Sequence, residues 1–180
     1  MEATMSKNKI ATELLGWLKV IAFAFIGALI VNHTLLASAL VISSSMENTI
    51  MTDSRVMGLR VAYLVSDPKR FDIILFNPPD DDTSVPYVKR IIGLPNEKVE
   101  IIGGKVYIDD SAEPLDDSFI KETARGDYGP YYVPDGCYFV LGDNRNGSHD
   151  SRQWANKFVP MEDILGRLYF VYYPSPHFFS

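Results

Sequence analysis

Cysteine is almost missing from this chain, since Cys137 is the one cysteine among 180 residues. A single cysteine cannot form an internal disulfide, and no group of Cys and His residues has the spacing of metal ligands. We therefore predict no metal site and no cofactor. Gly136 precedes Cys137 and the apolar residues 138–141 follow it, which indicates an inert thiol at the start of a buried strand.

An excess of basic residues is missing as well. The formal net charge is −6, which argues against nucleic acid as a partner. Residues 1–40 contain three lysines and two glutamates, so they carry about +1 and leave about −7 for the remainder. An apolar fraction of 47% with 22% charged residues is typical of a folded chain. A length of 180 residues allows one domain with an appendage or a small insertion.

Long amphipathic helices are the third missing feature. After Val31 the chain falls into short apolar or alternating stretches separated by turn residues, a pattern that predicts strands. The predicted strands are residues 35–42, 54–65, 73–76, 87–92, 98–109, 138–141 and 164–173. Gly103 and Gly104 predict a two-residue hairpin within 98–109, whereas 110–135 is expected to be an irregular surface excursion. We expect a mostly β, antiparallel fold with a small β insertion at about 96–136.

A long apolar run is present, and it begins near the N-terminus. Residues 14–31 have no polar face, and these eighteen residues at about 1.5 Å each give roughly 27 Å, enough to cross a thin hydrocarbon layer. Lys7 and Lys9 precede the run and favour a cytoplasmic N-terminus. We predict a cytoplasmic segment at 1–13, a single-pass transmembrane anchor at 14–31 in the lipid bilayer, and an extracytoplasmic β domain at 32–180.

A cleaved signal peptide is the alternative interpretation of this run. Residues 20–31 are similar to the apolar core of such a peptide, and Ala37-Ser38-Ala39 is similar to a small-residue cleavage site. Residues 32–36 separate the two by more than is usual. The uncleaved anchor is therefore favoured.

Three stretches after the anchor carry the residues suited to chemistry, at 42–50, 87–95 and 142–152. The first contains three consecutive serines, and a serine hydroxyl is a poor nucleophile until a neighbouring base removes its proton. Lys89, in the second, is flanked by apolar residues, and loss of hydration lowers the pKa of a lysine and favours its free amine. A free amine can deprotonate a serine. A Ser/Lys dyad is therefore chemically feasible.

Taken together, the three stretches resemble the motifs of the bacterial type I signal peptidases, in the short form of Gram-positive bacteria. The serine motif of that family, approximately Pro-Ser-Gly-Ser-Met-x-Pro-Thr-Leu, corresponds to 42–50. Its lysine motif, Tyr-Val/Ile-Lys-Arg-x-x-Gly-Leu-Pro, corresponds to 87–95, and Gly-Asp-Asn-x-x-x-Ser-x-Asp-Ser-Arg corresponds to 142–152. The likeness runs from the anchor to the last predicted strand.

The resemblance implies a membrane-bound serine endopeptidase of the bacterial cytoplasmic membrane. Such an enzyme removes N-terminal signal peptides from exported preproteins and cuts after small residues at −1 and −3. A secretion translocon and pilus subunits are further partners that the family suggests.

The catalytic roles carry over position by position. Ser45 corresponds to the nucleophile and Lys89 to the general base. The Ser43 hydroxyl and the Ser45 backbone N–H correspond to the oxyanion hole. Ser148 corresponds to the serine that forms a hydrogen bond with the lysine amine and orients it.

Three further polar residues, Asp143, Asp150 and Arg152, correspond to positions that brace the site. For Asp150 and Arg152 a structural salt bridge is the simpler interpretation. Met46 is expected on an exposed apolar face that rests on the lipid and contacts substrate.

The chain also departs from the family. Ile42 and Asn48 replace prolines, and Ser44 replaces a glycine, so the serine stretch lacks rigidity that its relatives have. Phe71 stands where Arg-Gly-Asp is usual, and Asn96 begins a pair that replaces Gly-Asp. These differences leave loop geometry and substrate preference open.

Two other functions stay as alternatives. Some relatives are assembly partners or chaperones of secreted pilus or cell-wall subunits and act without proteolysis. A self-cleaving regulator is disfavoured by the anchor. A Ser/His/Asp triad with His149 and Asp150 is also disfavoured, because adjacent residues of an extended chain point in opposite directions.

Overall fold

The computed structural model describes residues 2–80 and 85–179, with side chains from Lys9 onward. The outermost residues of the predicted segments 1–13 and 32–180 therefore lie outside the described residues. Contacts divide the chain into two units, Met1–Leu36 and Ala37–Ser180.

The first unit is a single helix, α1, which begins at Glu2 and ends at Thr34. It contains the apolar run predicted at 14–31 and extends beyond it at both ends. The N-terminal flank includes good helix formers such as Ala, Glu and Lys. From Lys9 to Thr34 it is long and apolar enough to cross a membrane, and none of that span is buried. The Thr34 hydroxyl donates to the Ile30 carbonyl at 2.7 Å in the last turn.

The second unit is built from short strands. In chain order they are β1 (Leu36–Leu40), β2 (Arg55–Leu59), β3 (Ile73–Phe76), β4 (Tyr87–Gly93), β5 (Lys98–Ile102), β6 (Lys105–Ile108), β7 (Tyr128–Tyr132), β8 (Cys137–Leu141), β9 (Val159–Pro160), β10 (Ile164–Tyr173) and β11 (His177–Phe178). The main sheet has the order β1-β2-β10-β3-β4-β8-β9, with β11 paired to β10. Its ladders from β2 to β9 are antiparallel, which confirms the predicted mostly antiparallel β fold.

This strand order brings the three sequence motifs together. β1 leads directly into the serine stretch, β4 carries Lys89, and β8 ends one residue before Gly142. β4 and β8 are neighbours, with Arg90 opposite Leu141. Motifs that lie about 50 residues apart in the chain therefore meet at one region of the sheet.

A second sheet of three strands, in the order β6-β5-β7, lies within the stretch between β4 and β8. Gly103 and Gly104 join β5 to β6 with φ angles of 57° and 77°, which are the positive values that a two-residue hairpin turn requires. β7 formed inside 110–135, where the sequence predicted irregular structure. Its Gly129-Pro130 pair is typical of a turn, and pairing with β5 overrides that local preference.

The strand predicted at 54–65 is shorter than expected. β2 ends at Leu59, and Arg60–Leu64 forms a turn of 3-10 helix. Tyr63 in that turn donates its hydroxyl to the buried carboxylate of Asp72 at 2.9 Å. A buried carboxylate needs such a donor, so this hydrogen bond favours the turn over a longer strand.

The core consists of three apolar clusters in the second unit. Met46 belongs to the first, Phe76 and Trp154 belong to the second, and Ile92 and Phe139 belong to the third, where the main sheet meets the second sheet. The serine stretch and β4 thus rest on packed core rather than on a surface loop, which limits how far their side chains can move.

Candidate active site

The serine stretch forms a tight turn anchored by its methionine. Ser44–Met46 is one turn of 3-10 helix, and the N–H groups of Thr49 and Ile50 donate to the Met46 carbonyl. The Met46 side chain is fully buried in the first core cluster. The expectation that Met46 rests on lipid is therefore wrong: the side chain fills the core, which stabilises the turn by about 1.5 to 3 kcal/mol.

The backbone just after this turn differs from what proline would impose. Asn48, which replaces a proline of the family motif, has a φ of 84°. Proline is restricted to φ near −65°, whereas asparagine tolerates the left-handed region. Asn48 thus has a backbone conformation that a proline at this position could not adopt, and Ser45 lies on the turn that precedes it.

Ser45 and Lys89 are in direct contact. Lys89 Nζ donates to Ser45 Oγ at 2.5 Å, and the two residues are 3% and 6% exposed, respectively. Lys89 projects from β4, a strand whose other side chains are mostly buried. The structure therefore brings together the two residues that the sequence predicted as nucleophile and base.

Burial changes the acid–base chemistry of Lys89. The pKa of Lys89 is lowered from 10.5 to about 8, mainly because burial removes the hydration of the ammonium and also because the positive charge of Arg152 disfavours it. Asp150 and Asp143 act in the opposite direction because their negative charges favour the ammonium. A lysine with this pKa is neutral in a substantial fraction of molecules near pH 8 and can accept a proton.

The predicted oxyanion-hole serine lies next to the same hydroxyl. Ser43 Oγ is 3.2 Å from Ser45 Oγ, and Ser43 is exposed. Ser43 has extended φ and ψ of −124° and 155° and precedes the turn that carries Ser45. The Ser43 hydroxyl therefore lies next to the proposed nucleophile, at the start of the turn that carries Ser45.

The stretch 142–152 contacts the backbone of the serine turn. The Asn144 N–H donates to the Ser45 carbonyl at 3.0 Å, and Asn144 Nδ2 donates to the Ser44 carbonyl at 3.1 Å. Gly142 lies so close that a Cβ there would overlap the Ser45 carbonyl oxygen and the Ser148 hydroxyl. Asn144 was part of the quoted motif, but no role was predicted for it.

Asp143 is held on the same side by Arg90. Arg90 Nε and Nη2 donate to the two carboxylate oxygens at 2.9 and 2.7 Å, and the pair is almost fully buried. Thr49 Oγ1 also donates to Asp143, at 2.5 Å. Arg90 and Thr49 were not predicted as site residues, although both stood inside the motifs that carried the resemblance.

Asp150 and Arg152 form a second buried ion pair. Arg152 Nε and Nη2 donate to the Asp150 carboxylate at 2.8 and 2.9 Å, and Asp150 also accepts from the Gly142 N–H at 3.1 Å. Arg152 Nη2 reaches the Arg145 carbonyl as well. These contacts tie the stretch 142–152 into one unit.

Ser148 does not have the partner that the resemblance implied. Its hydroxyl is buried, and within the described residues Ser148 Oγ has no hydrogen-bond partner. The amine of Lys89 is directed to Ser45 instead. The expected hydrogen bond between Ser148 and the lysine amine is therefore not formed in this conformation.

His149 is not arranged as a catalytic base. Its Nδ1 lies 2.9 Å from Gln153 Oε1, and its ring packs edge-on against Trp154 at 6.4 Å. Asp150 is engaged by Arg152. The adjacent His149 and Asp150 side chains thus have separate partners, as expected for neighbouring residues that point apart.

The dyad opens into a cavity of about 340 Å³. Its walls are formed by residues 40–46, residues 85–89, Gly147 and His149. Met46 is among the residues that line this cavity although its side chain is buried, and its predicted contact with substrate stays a prediction. Among the residues that the structure describes, no three His, Cys, Asp or Glu side chains are grouped as metal ligands.

Comparisons with known proteins agree on one family. The family model described as "Signal peptidase, peptidase S26" matches residues 14–173. The chain is 41% identical to "Probable signal peptidase I-2" of Synechocystis sp. over 74% of this chain and 62% of that protein. It is 34% identical to "Signal peptidase I" of Bacillus licheniformis over 97% of this chain and 96% of that protein.

The solved structures include that of a similar protein. It is the crystal structure of a signal peptidase I from Enterococcus faecalis, which is 34% identical. The match covers 57% of this chain and 97% of that chain, with a TM-score of 0.46.

Proposed function

Because the chain belongs to the signal peptidase family, peptidase S26, we propose that Ser45 is the nucleophile and Lys89 the general base with which it removes signal peptides from exported preproteins. The observation that carries this proposal is the 2.5 Å contact between Lys89 Nζ and Ser45 Oγ in a buried site. The pKa of about 8 for Lys89 supports it further, since the neutral amine is the form that takes a proton.

Acylation begins when neutral Lys89 accepts the Ser45 proton and Ser45 Oγ attacks the scissile carbonyl carbon. The tetrahedral intermediate carries a negative charge on the former carbonyl oxygen. The Ser43 hydroxyl and the Ser45 N–H donate to that oxygen. Loss of one such donor typically costs about 3 to 4 kcal/mol of transition-state stabilisation.

Collapse of the intermediate releases the mature protein. The C–N bond breaks as the Lys89 ammonium returns a proton to the leaving amine, and the signal peptide stays on Ser45 as an ester. Lys89 is neutral again and takes a proton from water, whose oxygen attacks the ester carbonyl. Ser45 leaves with a proton from Lys89, which restores the free enzyme.

Substrate choice follows from the cavity beside the dyad. We propose that it accepts the small side chains at −1 and −3 of a preprotein. Val41, Met46 and Val88 supply apolar walls, which suit an apolar side chain such as that of alanine. Steric exclusion by these walls would separate alanine from bulkier residues.

The protein is membrane-anchored like its family, and α1 is the apolar helix available for that role. We propose that its N-terminus faces the cytoplasm because Lys7 and Lys9 precede the apolar run, which places the catalytic unit outside the bacterial cytoplasmic membrane. Cleavage near Ala37 would remove part of β1, whose Ala37 is fully buried in the core. This burial supports an anchor that is retained.

The proposal is tested with a preprotein that has an Ala-x-Ala site and detergent-solubilised full-length enzyme. Ser45→Ala and Lys89→Ala are each expected to lower kcat by a factor of about 10⁴ or more. The matched controls are Ser66→Ala and Lys105→Ala, which remove an exposed serine and an exposed lysine and should leave kcat unchanged. Activity of folded Ser45→Ala at the wild-type rate would refute the assignment of the nucleophile.

The same assay separates the enzyme from an assembly partner. An assembly partner would bind secreted pilus or cell-wall subunits, alone or beside a secretion translocon, and leave the preprotein uncut. Co-purification of such subunits with an inactive wild-type protein would favour that alternative. The contact between Ser45 and Lys89 favours cleavage.

A further inference from the structure

A segment of the insertion, residues 117–125, packs against the catalytic side of the main sheet. Asp117 Oδ2 accepts from Arg145 Nη1 at 3.1 Å. The Asn146 side chain accepts from the Arg125 N–H at 2.9 Å and donates to the Thr123 carbonyl at 3.1 Å. The insertion is therefore attached to the stretch 142–152 that holds Ser45.

Phe119 makes the contact of this segment with β4. Its ring centroid lies 4.1 Å from the guanidinium carbon of Arg90. Phe71 packs edge-on against the same ring at 5.5 Å and fixes its orientation. A guanidinium over an aromatic face at this distance is a cation–π contact, which is stronger when water is excluded.

With Phe119 in place, the guanidinium of Arg90 is enclosed. Nε and Nη2 bind Asp143, and Nη1 donates to the Phe71 carbonyl at 2.9 Å. Arg90 is 2% exposed. Removal of the ring would open one face of the Arg90–Asp143 pair to water, and water competes for the hydrogen bonds that hold Asp143.

Two short paths lead from this ion pair to the dyad. Arg90 follows Lys89 directly in β4. Asp143 binds the Thr49 hydroxyl, and the next residue, Asn144, binds the carbonyls of Ser44 and Ser45. A displaced Arg90 or Asp143 would therefore shift the serine turn relative to the lysine amine.

We propose that Phe119 is a positioning residue that keeps the Arg90–Asp143 pair, and through it Ser45 and Lys89, in reactive geometry. This inference rests on the proposed roles of Ser45 and Lys89. It predicts that loss of the ring slows the chemical step while substrate binding is unchanged, because Phe119 is outside the cavity lining. Small misplacements of reacting groups lower rates strongly, so we expect kcat to fall about tenfold.

The test measures kcat and KM for preprotein cleavage by full-length Phe119→Ala, Phe119→Leu and Phe119→Tyr in detergent. Phe119→Leu keeps an apolar side chain without a π face, and Phe119→Tyr keeps the ring. Tyr132→Leu is the matched control, since Tyr132 is an aromatic residue of the same insertion and is 69% exposed. Thermal unfolding of each variant reports the folded fraction at the assay temperature.

The expected result is a kcat about tenfold lower for Phe119→Ala and Phe119→Leu, with KM within about twofold of wild type. Phe119→Tyr and Tyr132→Leu should retain wild-type kcat. A wild-type kcat in Phe119→Leu, a change in KM alone, or a loss of kcat that equals the loss of folded protein would each overturn the proposal. Ser45→Ala, assayed in parallel, separates the two claims: its activity tests the nucleophile, whatever Phe119 variants do.

Discussion

Strand β4 buries two neighbouring basic side chains, Lys89 on one face and Arg90 on the other, and the two have different hydrogen-bond partners. Lys89 has no carboxylate within hydrogen-bond distance among the described residues and points at Ser45, so desolvation lowers its pKa to about 8. Arg90 donates two hydrogen bonds to the Asp143 carboxylate. Lys89, which has no carboxylate partner among the described residues, is suited to act as a base. Arg90, which is bound to a carboxylate, instead stabilises the structure around the site.

Chemistry explains why each face has the residue it has. Loss of hydration disfavours the charged ammonium, so burial lowers the pKa of a lysine from its usual value. A guanidinium keeps its proton and matches a carboxylate in bidentate geometry. If Lys89 and Arg90 were exchanged, one face of β4 would lose its base and the other would lose the bidentate hydrogen bonds to Asp143.

Lys89→Arg tests the catalytic face and should have the largest effect. Arginine keeps the positive charge but cannot act as a base, because a guanidinium is not deprotonated in proteins. We expect kcat to fall by a factor of about 10⁴. Preprotein cleavage by detergent-solubilised Lys89→Arg measures this, with Lys105→Arg as the exposed control, and near-wild-type turnover would show that the charge rather than the proton transfer matters.

Asp143→Asn tests the scaffold face. It leaves the Arg90 charge buried without a counterion, which should destabilise the catalytic unit by about 3 to 5 kcal/mol. The unfolding midpoint in urea measures this effect. Asp110→Asn breaks the exposed Lys98–Asp110 pair and should leave the midpoint unchanged, so equal shifts in the two variants would contradict the contrast.

Gly142→Ala tests how closely the scaffold face contacts the serine turn. The new methyl group would overlap the Ser45 carbonyl oxygen and the Ser148 hydroxyl, so the turn must shift. We expect kcat to fall about 10²-fold. Gly27→Ala is the control, because the Cβ added at this glycine of α1 would meet no side chain and no backbone beyond its own turn of helix. Equal activity of both variants would show that the serine turn tolerates displacement.

The pH profile separates the two cations without any substitution. Only neutral Lys89 accepts the serine proton, so kcat/KM should rise about tenfold per pH unit below 8 and level off above it. The lowered pKa also means that the unfolded chain binds more protons between pH 8 and 10.5, so this group makes stability rise with pH there. A flat kcat/KM between pH 6 and 9 would argue against a lysine base.

Local sequence was enough for the elements that depend on local properties. The apolar run at 14–31 lies inside α1, residues 73–76 form β3, and residues 164–173 form β10. Continuous apolar character, strand-forming residues and the Gly103-Gly104 turn act within a few residues, so their outcome can be predicted without knowing the fold.

The expectation for Met46 came from the local sequence and that for Ser148 from the family resemblance, and the structure departs from both. An apolar side chain beside a serine suits lipid or protein core equally well, and the packing of β1, β2 and β10 over Met46 made it core. A hydroxyl can form a hydrogen bond with any nearby amine. The Lys89 amine points to Ser45, so the Ser148 hydroxyl has no hydrogen bond to it. Each outcome depends on strands distant in the chain.

The residue types and order of the motifs were readable from the chain alone, because Ser45, Lys89 and their neighbours retain a recognisable spacing. The contacts of Asn144, Arg90 and Phe119 were not readable, since each joins segments at least 19 residues apart. No periodicity or composition of the local sequence indicates such contacts. They arise when β3, β4 and β8 pair and the insertion folds back, because burial then leaves each polar group only a few partners within reach.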